Sequence, residues 1–499
     1  MASGDLPAFG VVLKRLRLAA GLTHEALAER AGLSARTISD LERGVADAPR
    51  RATVARLSAA LALSREQLAI LEAAARPVAP PGGSAPPPHN LPWQPTSFLG
   101  RGHEVRGLGE LLRRPDTRLV TVTGSGGTGK TRLALRVAED MLREFADGTF
   151  VVPLAPVADH GVVVQAIAQT FGLAKVAGYS LDDVVVDHLR PRRILLVLDN
   201  FEHLLTGAPL VAQLLGACPG LKALVTSRAA LRLSGEWEFP LAPLPVPDAR
   251  RVPSVEALAQ CPSVALFVER AARVRAGFRL TGDDAAAVAE ICRRLDGLPL
   301  ALELAAARVK LLAPPALLRQ LAGPGGSSLR LLTSGPRDLP ARQQTLRGTI
   351  AWSYELLAPT EKRLFRRLAV FVDGCDLGAA RAVCEGARAG PDDPRASKEL
   401  GAGVLDGLAS LVDQSLLRQE EGPDAEPRFA MLETIREFAL ELLTASGEAA
   451  AVGERHARYF LSMVEASGPV LLGAARDRLR LAAEQENIRA ALRWLVEQG

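Results

Sequence analysis

The sequence predicts a multidomain protein: an all-α helix-turn-helix head, an α/β domain with a parallel sheet, a helical domain, a winged helix and the start of an α-helical repeat region. Three observations predict this division. Residues 77–96 contain eight prolines and no Lys, Arg, Asp or Glu, which is typical of a semi-rigid linker. Apolar runs alternate with helical segments from residue 97 to about 245, as in parallel sheets covered on both faces. Residues 262–322 are helical in pattern throughout.

Composition limits the class of protein. At 499 residues the chain is long enough for three or more domains, and its formal net charge is +4. Residues 1–76 hold eleven Lys and Arg against eight Asp and Glu, an excess of +3 that is consistent with nucleic-acid binding. Five scattered cysteines without a C-x-x-C pair favour a reduced, cytoplasmic protein with no zinc site. Neither a signal peptide nor a good membrane span is present in the pattern, so we expect no membrane partner.

The head has the pattern of a helix-turn-helix. Thr23 can cap a helix that ends near Ala31, Gly32 suits a sharp turn, and Ser34 can cap a further helix through Leu41. The inward positions are expected to be Leu27, Ala28, Ala31, Leu33, Ile38 and Leu41. In such motifs the first turns of the last helix enter the major groove. The candidate DNA-binding residues are therefore Thr23, Ser34, Ala35, Arg36, Thr37, Ser39, Asp40 and Arg43.

The α/β domain contains a complete phosphate-binding loop, G-x-x-x-x-G-K-[ST]. Its residues are Gly124, Ser125, Gly126, Gly127, Thr128, Gly129, Lys130 and Thr131. An apolar run, Leu119–Thr123, precedes the loop as a strand, and a helical pattern follows it. Glycines let backbone N–H groups turn onto phosphate oxygens, and the helix N-terminus adds partial positive charge. Lys130 is expected to neutralise the β- and γ-phosphates, and the Thr131 hydroxyl is expected to ligate Mg²⁺.

Two later strands end in groups that complete such a site. A buried strand ends at Asp199, which is the expected Mg²⁺ partner of Thr131. Another strand ends at Arg228, which is expected to reach the γ-phosphate. The predicted strands of this domain are Leu119–Thr123, Thr149–Val152, Ile194–Leu198 and Ala223–Thr226.

Helices followed by two late strands predict a winged helix. The strands are expected over Leu416–Gln419 and Arg428–Met431, with a polar loop between them. The final residues are helical in pattern and read as the beginning of a longer array. The predicted divisions are a head at 1–76, a linker at 77–96, a phosphate-loop domain at 97–245, a helical domain at 246–345, a winged helix at 346–435 and a helical segment at 436–499.

Residues 8–75, with GLTHEALAERAGLSARTISDLERG, resemble the lambda-repressor/Cro-like, XRE-type DNA-binding family. Residues 97–435 resemble the NB-ARC type of the STAND class of P-loop NTPases. The motifs of this second resemblance are FLGR at 98–101, GSGGTGKT at 124–131, LLVLDNFE at 195–202, TSR at 226–228, GLPLA at 297–301 and WSYELL at 352–357. The stretch EQENIRAAL at 484–492 resembles the beginning of a tetratricopeptide-like sensor.

These resemblances imply a bacterial transcriptional regulator that binds double-stranded DNA through its head and ATP or ADP with Mg²⁺ through its body. They imply an ADP-closed state, an ATP-open state that self-associates, slow ATP hydrolysis, and a ligand or protein bound by the C-terminal helices. The implied nucleotide-binding residues are Phe98, Arg101, residues 124–131, Arg132 and Pro299. The implied catalytic residues are Lys130, Asp199, Glu202 and Arg228.

The sequence departs from the NB-ARC pattern at two positions. Asn200 stands where many relatives carry a second acid, so the nearest acid, Glu202, is one candidate for the hydrolytic base and another group or bare water is the alternative. Leu432 stands where many relatives carry a histidine against the ADP phosphate. Two alternative functions remain at this point: a defence or scaffold protein whose head binds protein, and a DNA-dependent motor ATPase.

Overall fold

The computed structural model describes residues 9–42, 51–61, 63, 67, 71, 87–155, 162–175, 178–248, 254–322, 328–333, 344–385, 394–422, 426–466 and 475–498. Contacts divide the chain into two compact units, Met1–Pro86 and Pro87–Gly499. Among the described residues, no helix is both long enough and apolar enough to cross a bilayer.

The first unit contains a helix-turn-helix. Its described helices are α1 (Phe9–Ala19), α2 (His24–Ala31), α3 (Ala35–Glu42) and α4 (Arg51–Ala60). Thr23 caps α2, and Gly32 ends it in the left-handed region at φ 61°. Of the positions predicted to face inward, all are buried except Leu33, which packs half-buried against the same core. Arg43 lies outside the described residues.

The second unit begins with the predicted parallel sheet, which is confirmed. Its strands are β1 (Leu119–Thr123), β2 (Thr149–Pro153), β3 (Ile194–Asp199), β4 (Leu221–Thr226) and β5 (Glu236–Pro240). They lie in the order β2-β3-β4-β1-β5, and every pairing is parallel. The sequence analysis missed β5 because its sequence, EWEFP, is partly exposed and lacks an apolar run. The helices that cover the sheet are α5 (Gly102–Arg113), α6 (Lys130–Asp140), α7 (Val163–Thr170), α8 (Leu181–Leu189) and α9 (Ala208–Ala217).

The end of the predicted linker is attached to this sheet. The Asn90 side chain bonds both backbone groups of Val151, accepting from its N–H at 2.6 Å and donating to its carbonyl at 2.8 Å. The Thr149 N–H also donates to the Pro88 carbonyl at 3.1 Å. Residues 88–91 therefore cover the exposed edge of β2, where unpaired backbone groups would otherwise face solvent.

The helical domain follows the sheet. Its helices are α10 (Val255–Ala259), α11 (Pro262–Val274), α12 (Gly282–Arg294), α13 (Pro299–Arg308), α14 (Pro314–Ala322) and α15 (Ser328–Leu331). The apolar faces of α11 to α15 join one hydrophobic core with the winged helix. Pro299 opens α13 at its first position, where a missing N–H costs nothing.

The winged helix contains the predicted hairpin, with different strand bounds. Its elements are α16 (Leu346–Glu355), α17 (Pro359–Leu368), β6 (Cys375–Asp376), α18 (Leu377–Cys384), α19 (Pro394–Asp413), β7 (Arg418–Glu421) and β8 (Pro427–Ala430). The predicted strand over Leu416–Gln419 begins two residues too early, because Leu416 and Leu417 are buried core residues that precede β7. The short strand β6, which pairs antiparallel with β8, is too brief for a periodic signal.

The C-terminal helices are α20 (Glu433–Ala445), α21 (Ala449–Ala466), α22 (Ala475–Ala483) and α23 (Gln485–Gln498). A buried amide joins them to the winged helix. Asn487 accepts from the Val372 N–H at 2.7 Å and donates to the Gly374 carbonyl at 2.9 Å and to Glu484 at 2.6 Å. His456 lies 3.4 Å from the same amide, and burial lowers the pKa of His456 to about 4, so its ring is neutral at neutral pH.

We expect Asn487→Ala to loosen the attachment of α23 to the winged helix. The substitution leaves the buried Val372 N–H and Gly374 carbonyl without their partner, which should cost about 2–4 kcal/mol of local opening free energy. Hydrogen exchange of peptides that cover residues 372–376 measures the loss. Gln485→Ala, an exposed change on the same helix, is the control. Equal protection in both variants would contradict the prediction.

Candidate nucleotide and nucleic-acid sites

The phosphate-binding loop connects β1 to α6 through backbone that favours glycine. Gly124 has φ 147°, and a Cβ there would lie 2.6 Å from the Leu241 carbonyl oxygen. Gly129 has φ 93° and immediately precedes α6. The loop N–H groups therefore gather at the N-terminus of a helix, an arrangement that favours an anion.

Lys130 begins α6 and folds back over the loop. Its Nζ donates to the carbonyls of Gly124 at 2.6 Å and Ser125 at 3.1 Å. Burial lowers the pKa of Lys130 to about 8, although Glu202 opposes this shift. A buried ammonium group beside a ring of N–H donors is a chemically suitable partner for phosphate oxygens.

Thr131 and Asp199 lie together, as the sequence predicts for a Mg²⁺ pair. The Thr131 hydroxyl donates to Asp199 Oδ1 at 2.6 Å, and the Thr226 hydroxyl donates to the same oxygen at 2.6 Å. Burial raises the pKa of Asp199, and the two hydroxyl hydrogen bonds oppose that rise. Hydroxyl and carboxylate oxygens are ligands that Mg²⁺ accepts, so these residues fit the ion.

Glu202 and Arg228 form a buried ion pair near the loop. Arg228 Nε lies 3.3 Å from Glu202 Oε1, and the two side chains are only 6% and 4% exposed. Asn200, in the left-handed region at φ 68°, donates from its amide to Glu202 at 3.3 Å. A Cβ at Gly126 would lie 3.4 Å from Arg228 Nη2. Arg228, which is predicted to reach the γ-phosphate, therefore lies adjacent to the phosphate-binding loop.

The other residues implied to bind nucleotide are largely engaged with other protein groups. The buried Arg101 donates to the Ala242 carbonyl at 2.6 Å and pairs with Glu104 at 2.7 Å. Arg132 lies over the Phe98 ring, 5.8 Å from its centroid. Pro299 is half-buried at the start of α13. Their nucleotide contacts remain predictions.

Both later domains contact the loop, each through one residue. The Leu300 N–H donates to the Gly127 carbonyl at 3.2 Å, from the helical domain. From the winged helix, Thr349 Cγ2 would lie 2.5 Å from a Cβ at Gly126. The GLPLA motif pointed to the first contact, whereas no local pattern marks Thr349.

A second missed residue, Asp296, caps α20 across the domain boundary. Its carboxylate accepts from the N–H groups of Glu433 and Thr434 and from the Thr434 hydroxyl, each at 3.0 Å. The backbone of Asp296 is in the left-handed region, at φ 54°. The following Gly297 is the feature of the sequence that indicates a turn here. Leu432, directly before α20, is buried in the apolar core. Its position against the phosphate remains a prediction.

The candidate DNA contacts lie at the start of α3 and of α2. Ser34 accepts from the Thr37 N–H at 3.0 Å and so caps α3, and Thr23 accepts from Ala26 at 3.2 Å. Arg36 is 91% exposed and lies 3.8 Å from Asp40. The remaining described candidates, which are half-buried, are Ala35, Thr37, Ser39 and Asp40.

A buried ion pair that the sequence analysis missed holds α3 to the rest of the head. Arg17 Nε donates to Glu42 Oε1 at 2.6 Å, and His24 Nε2 lies 2.9 Å from Glu42 Oε2. Burial alone would raise the pKa of Glu42, but hydrogen bonds from Arg17 and His24 outweigh it and lower that pKa. The pair fixes α3 against α1 and the start of α2.

Three family models match separate parts of the chain. A helix-turn-helix domain model matches residues 8–71, the NB-ARC domain model matches residues 103–230, and a winged helix-turn-helix domain model matches residues 357–444.

Relatives are similar in sequence to this chain over about three quarters of its length. A protein of Mycobacterium tuberculosis H37Rv, by name an HTH-type transcriptional regulator, is 43% identical over 387 residues, which are 77% of this chain and 40% of the relative. An uncharacterized protein of the same strain is 38% identical over 365 residues, 73% of this chain and 86% of the relative. The regulatory protein AfsR of Streptomyces coelicolor is 29% identical over 368 residues, 70% of this chain and 33% of AfsR.

The chain thus belongs to the NB-ARC family of P-loop proteins and carries an N-terminal helix-turn-helix domain and a C-terminal winged helix-turn-helix domain. It spans about two fifths of the length of the regulator relatives it matches. Among solved structures, a STAND protein with a tetratricopeptide repeat sensor from Pyrococcus horikoshii is 14% identical, with TM-score 0.27 over 81% of this chain and 48% of that chain. The Aeropyrum pernix ORC2 protein is 15% identical, with TM-score 0.41 over 72% and 97%.

We expect Lys130→Ala to weaken the binding of ATP and ADP by at least about tenfold while the fold survives. A hydrogen bond to a charged group contributes about 1.5–3 kcal/mol, and 1.4 kcal/mol corresponds to a factor of ten. Calorimetric titration measures both affinities. Arg136→Ala, which removes an exposed charge from the same helix, is the control. Unchanged affinities would refute the assigned site.

We expect Glu42→Ala to destabilise the head by about 3–5 kcal/mol, because it leaves Arg17 buried without its carboxylate. Since the pKa of Glu42 is lowered in the fold, its contribution is present above its unfolded pKa and is lost as pH falls, below about pH 4. Hydrogen exchange over residues 9–42 measures the loss in the full chain. Glu29→Ala, an exposed change on α2, should have little effect. Similar losses in both variants would contradict the role of the pair.

Proposed function

We propose that the chain is a nucleotide-switched, DNA-binding regulator of transcription. ADP holds a closed state, and ATP favours an open state that self-associates. The observation that supports this most directly is the double contact of the phosphate-binding loop, with Leu300 of the helical domain and Thr349 of the winged helix. Whatever binds the loop therefore acts on both domains, and only a difference in its affinity for the two states can shift them.

The nucleotide site supports binding of ATP or ADP with Mg²⁺. Lys130 and the loop N–H groups would hold the phosphates, and Thr131 with Asp199 would hold the metal ion, which supplies charge neutralisation when bound. Phe98, Arg101, Arg132 and Pro299 are proposed on the base and ribose side. Hydrolysis is proposed to be slow and to act as a timer, with Glu202 as one candidate base.

The head is proposed to bind double-stranded DNA through α3. The names of the mycobacterial relatives, HTH-type transcriptional regulators, support this partner. The C-terminal helices are proposed to receive a ligand or protein, and the cysteine pattern supports a cytoplasmic location.

The proposal is tested by selecting, from random duplex DNA, the sequences that the chain binds. The selection is run with ATP, with ADP and without nucleotide. We expect one enriched sequence whose recovery depends on the nucleotide. Turnover that rises with any DNA would instead favour a motor ATPase. Failure to enrich any sequence, even at low salt, would favour a head that binds protein.

We expect Arg36→Ala to cost about 1–3 kcal/mol at one base position of the enriched site, because an exposed arginine at the first turn of α3 is placed to read a guanine. Competition binding against single-base variants of the site measures this. Arg15→Ala, which removes an exposed positive charge from α1, should not change base preference. A uniform loss across all variants would make Arg36 a phosphate contact.

A further inference from the structure

The segment that follows β4 contacts the winged helix at three points. Arg228 Nη2 donates to the Thr349 carbonyl at 3.3 Å, and the Ser415 hydroxyl donates to the Arg228 carbonyl at 2.6 Å. Arg232 pairs with Asp413 a short distance along the same segment. The side chain and the backbone of one residue, Arg228, therefore both connect the nucleotide-binding domain to the winged helix.

Glu202 governs where the Arg228 side chain can lie. The pair is almost fully buried, so separating it without a replacement partner would leave two uncompensated charges. Asn200 donates to the same carboxylate oxygen, Oε1, and helps to hold its orientation. The guanidinium and the amide together therefore fix where the Glu202 carboxylate lies.

A phosphate is the replacement partner that a guanidinium accepts most readily. The Arg228 Nη2 atom would lie 3.4 Å from a Cβ at Gly126, so the side chain borders the loop that would carry the phosphates. Planar donors match phosphate oxygens in two parallel hydrogen bonds. ATP and ADP differ by the γ-phosphate alone, and ADP offers no group at that position.

We propose that Glu202 is a positioning residue that holds Arg228 in contact with the winged helix, and that the γ-phosphate of ATP competes with Glu202 for the guanidinium and so releases that contact. This inference rests on the proposed nucleotide switch and names the interaction that couples the phosphate to the winged helix. Glu202, Arg228, the Thr349 carbonyl and Ser415 together form what we call the Arg228 latch.

The latch makes ATP binding depend on contacts far from the phosphates. ATP must open the latch before its γ-phosphate is bound, and ADP need not. The apparent affinity for ATP is therefore reduced by the fraction of molecules in which the latch is closed. Weakening the latch on its winged-helix side should tighten ATP binding and leave ADP binding unchanged.

Ser415→Ala in the full chain tests this coupling, because Ser415 bonds the Arg228 backbone and is not assigned to the nucleotide site. Isothermal titration in the presence of Mg²⁺ measures the affinities for ATP, for a slowly hydrolysing ATP analogue and for ADP. We expect the variant to bind ATP and its analogue about two- to tenfold more tightly, which is the range for loss of one hydrogen bond, and to bind ADP with unchanged affinity. Ser446→Ala is the matched control, since its hydroxyl donates to the Leu443 carbonyl at 2.8 Å within one helix end. Equal changes for both nucleotides, or no change, would overturn the latch.

Glu202→Gln separates positioning from proton transfer. We expect it to raise the ratio of ATP to ADP affinity in the parent chain and to leave that ratio unchanged in an Arg228→Ala background, because its effect acts through the guanidinium. If Glu202→Gln in the parent chain abolishes ATP turnover but leaves the ratio of ATP to ADP affinity unchanged, Glu202 is the hydrolytic base and the proposal is overturned. Failure of the proposed function and failure of the latch give different results. A parent chain that binds neither ATP nor ADP contradicts the proposed function. A parent chain that binds both, with a ratio of affinities that Glu202→Gln does not change, contradicts the latch alone.

Discussion

The carboxylate of Asp199 is the constraint on which the nucleotide-binding domain depends. A carboxylate partly removed from water needs hydrogen-bond donors, and Asp199 Oδ1 receives the hydroxyls of both Thr131 and Thr226. Those residues come from α6 and from β4, so the bonds tie the carboxyl ends of neighbouring strands to the helix that follows the loop. The order β3-β4-β1 brings all of these groups to one edge of the sheet. The oxygen atoms that are proposed to hold Mg²⁺ therefore also tie these elements together.

The glycines of the loop also allow the later domains to pack closely against it. A side chain at Gly126 would collide with Thr349, and one at Gly127 would lie 3.0 Å from the Leu300 Cβ. The absence of side chains thus permits the helical domain and the winged helix to approach the loop backbone directly. This close approach is what connects the phosphate site to domains that lie more than 150 residues later in the chain.

Features that depend on local pattern could be predicted from the sequence, and features that depend on a distant partner could not. The loop, Asp199 and the inward positions of α2 and α3 follow from spacing within a few residues. The partner of Arg17 is Glu42, 25 residues away, and that of Arg228 is Thr349, 121 residues away. Nothing in the periodicity of either segment selects such a partner. The strand β5 could not be predicted for a different reason, because a largely exposed edge strand has no apolar run.

Asn200 shows how a departure from the family pattern fits its surroundings. Many relatives carry an acid at this position, where an aspartate would place a second negative charge beside Glu202. Asn200 instead donates its amide N–H to that carboxylate, which an aspartate cannot do when ionised. Asparagine also tolerates the left-handed backbone, φ 68°, that the chain adopts at this position. The change from acid to amide therefore removes a candidate base at position 200 and at the same time stabilises Glu202 as the partner of the arginine.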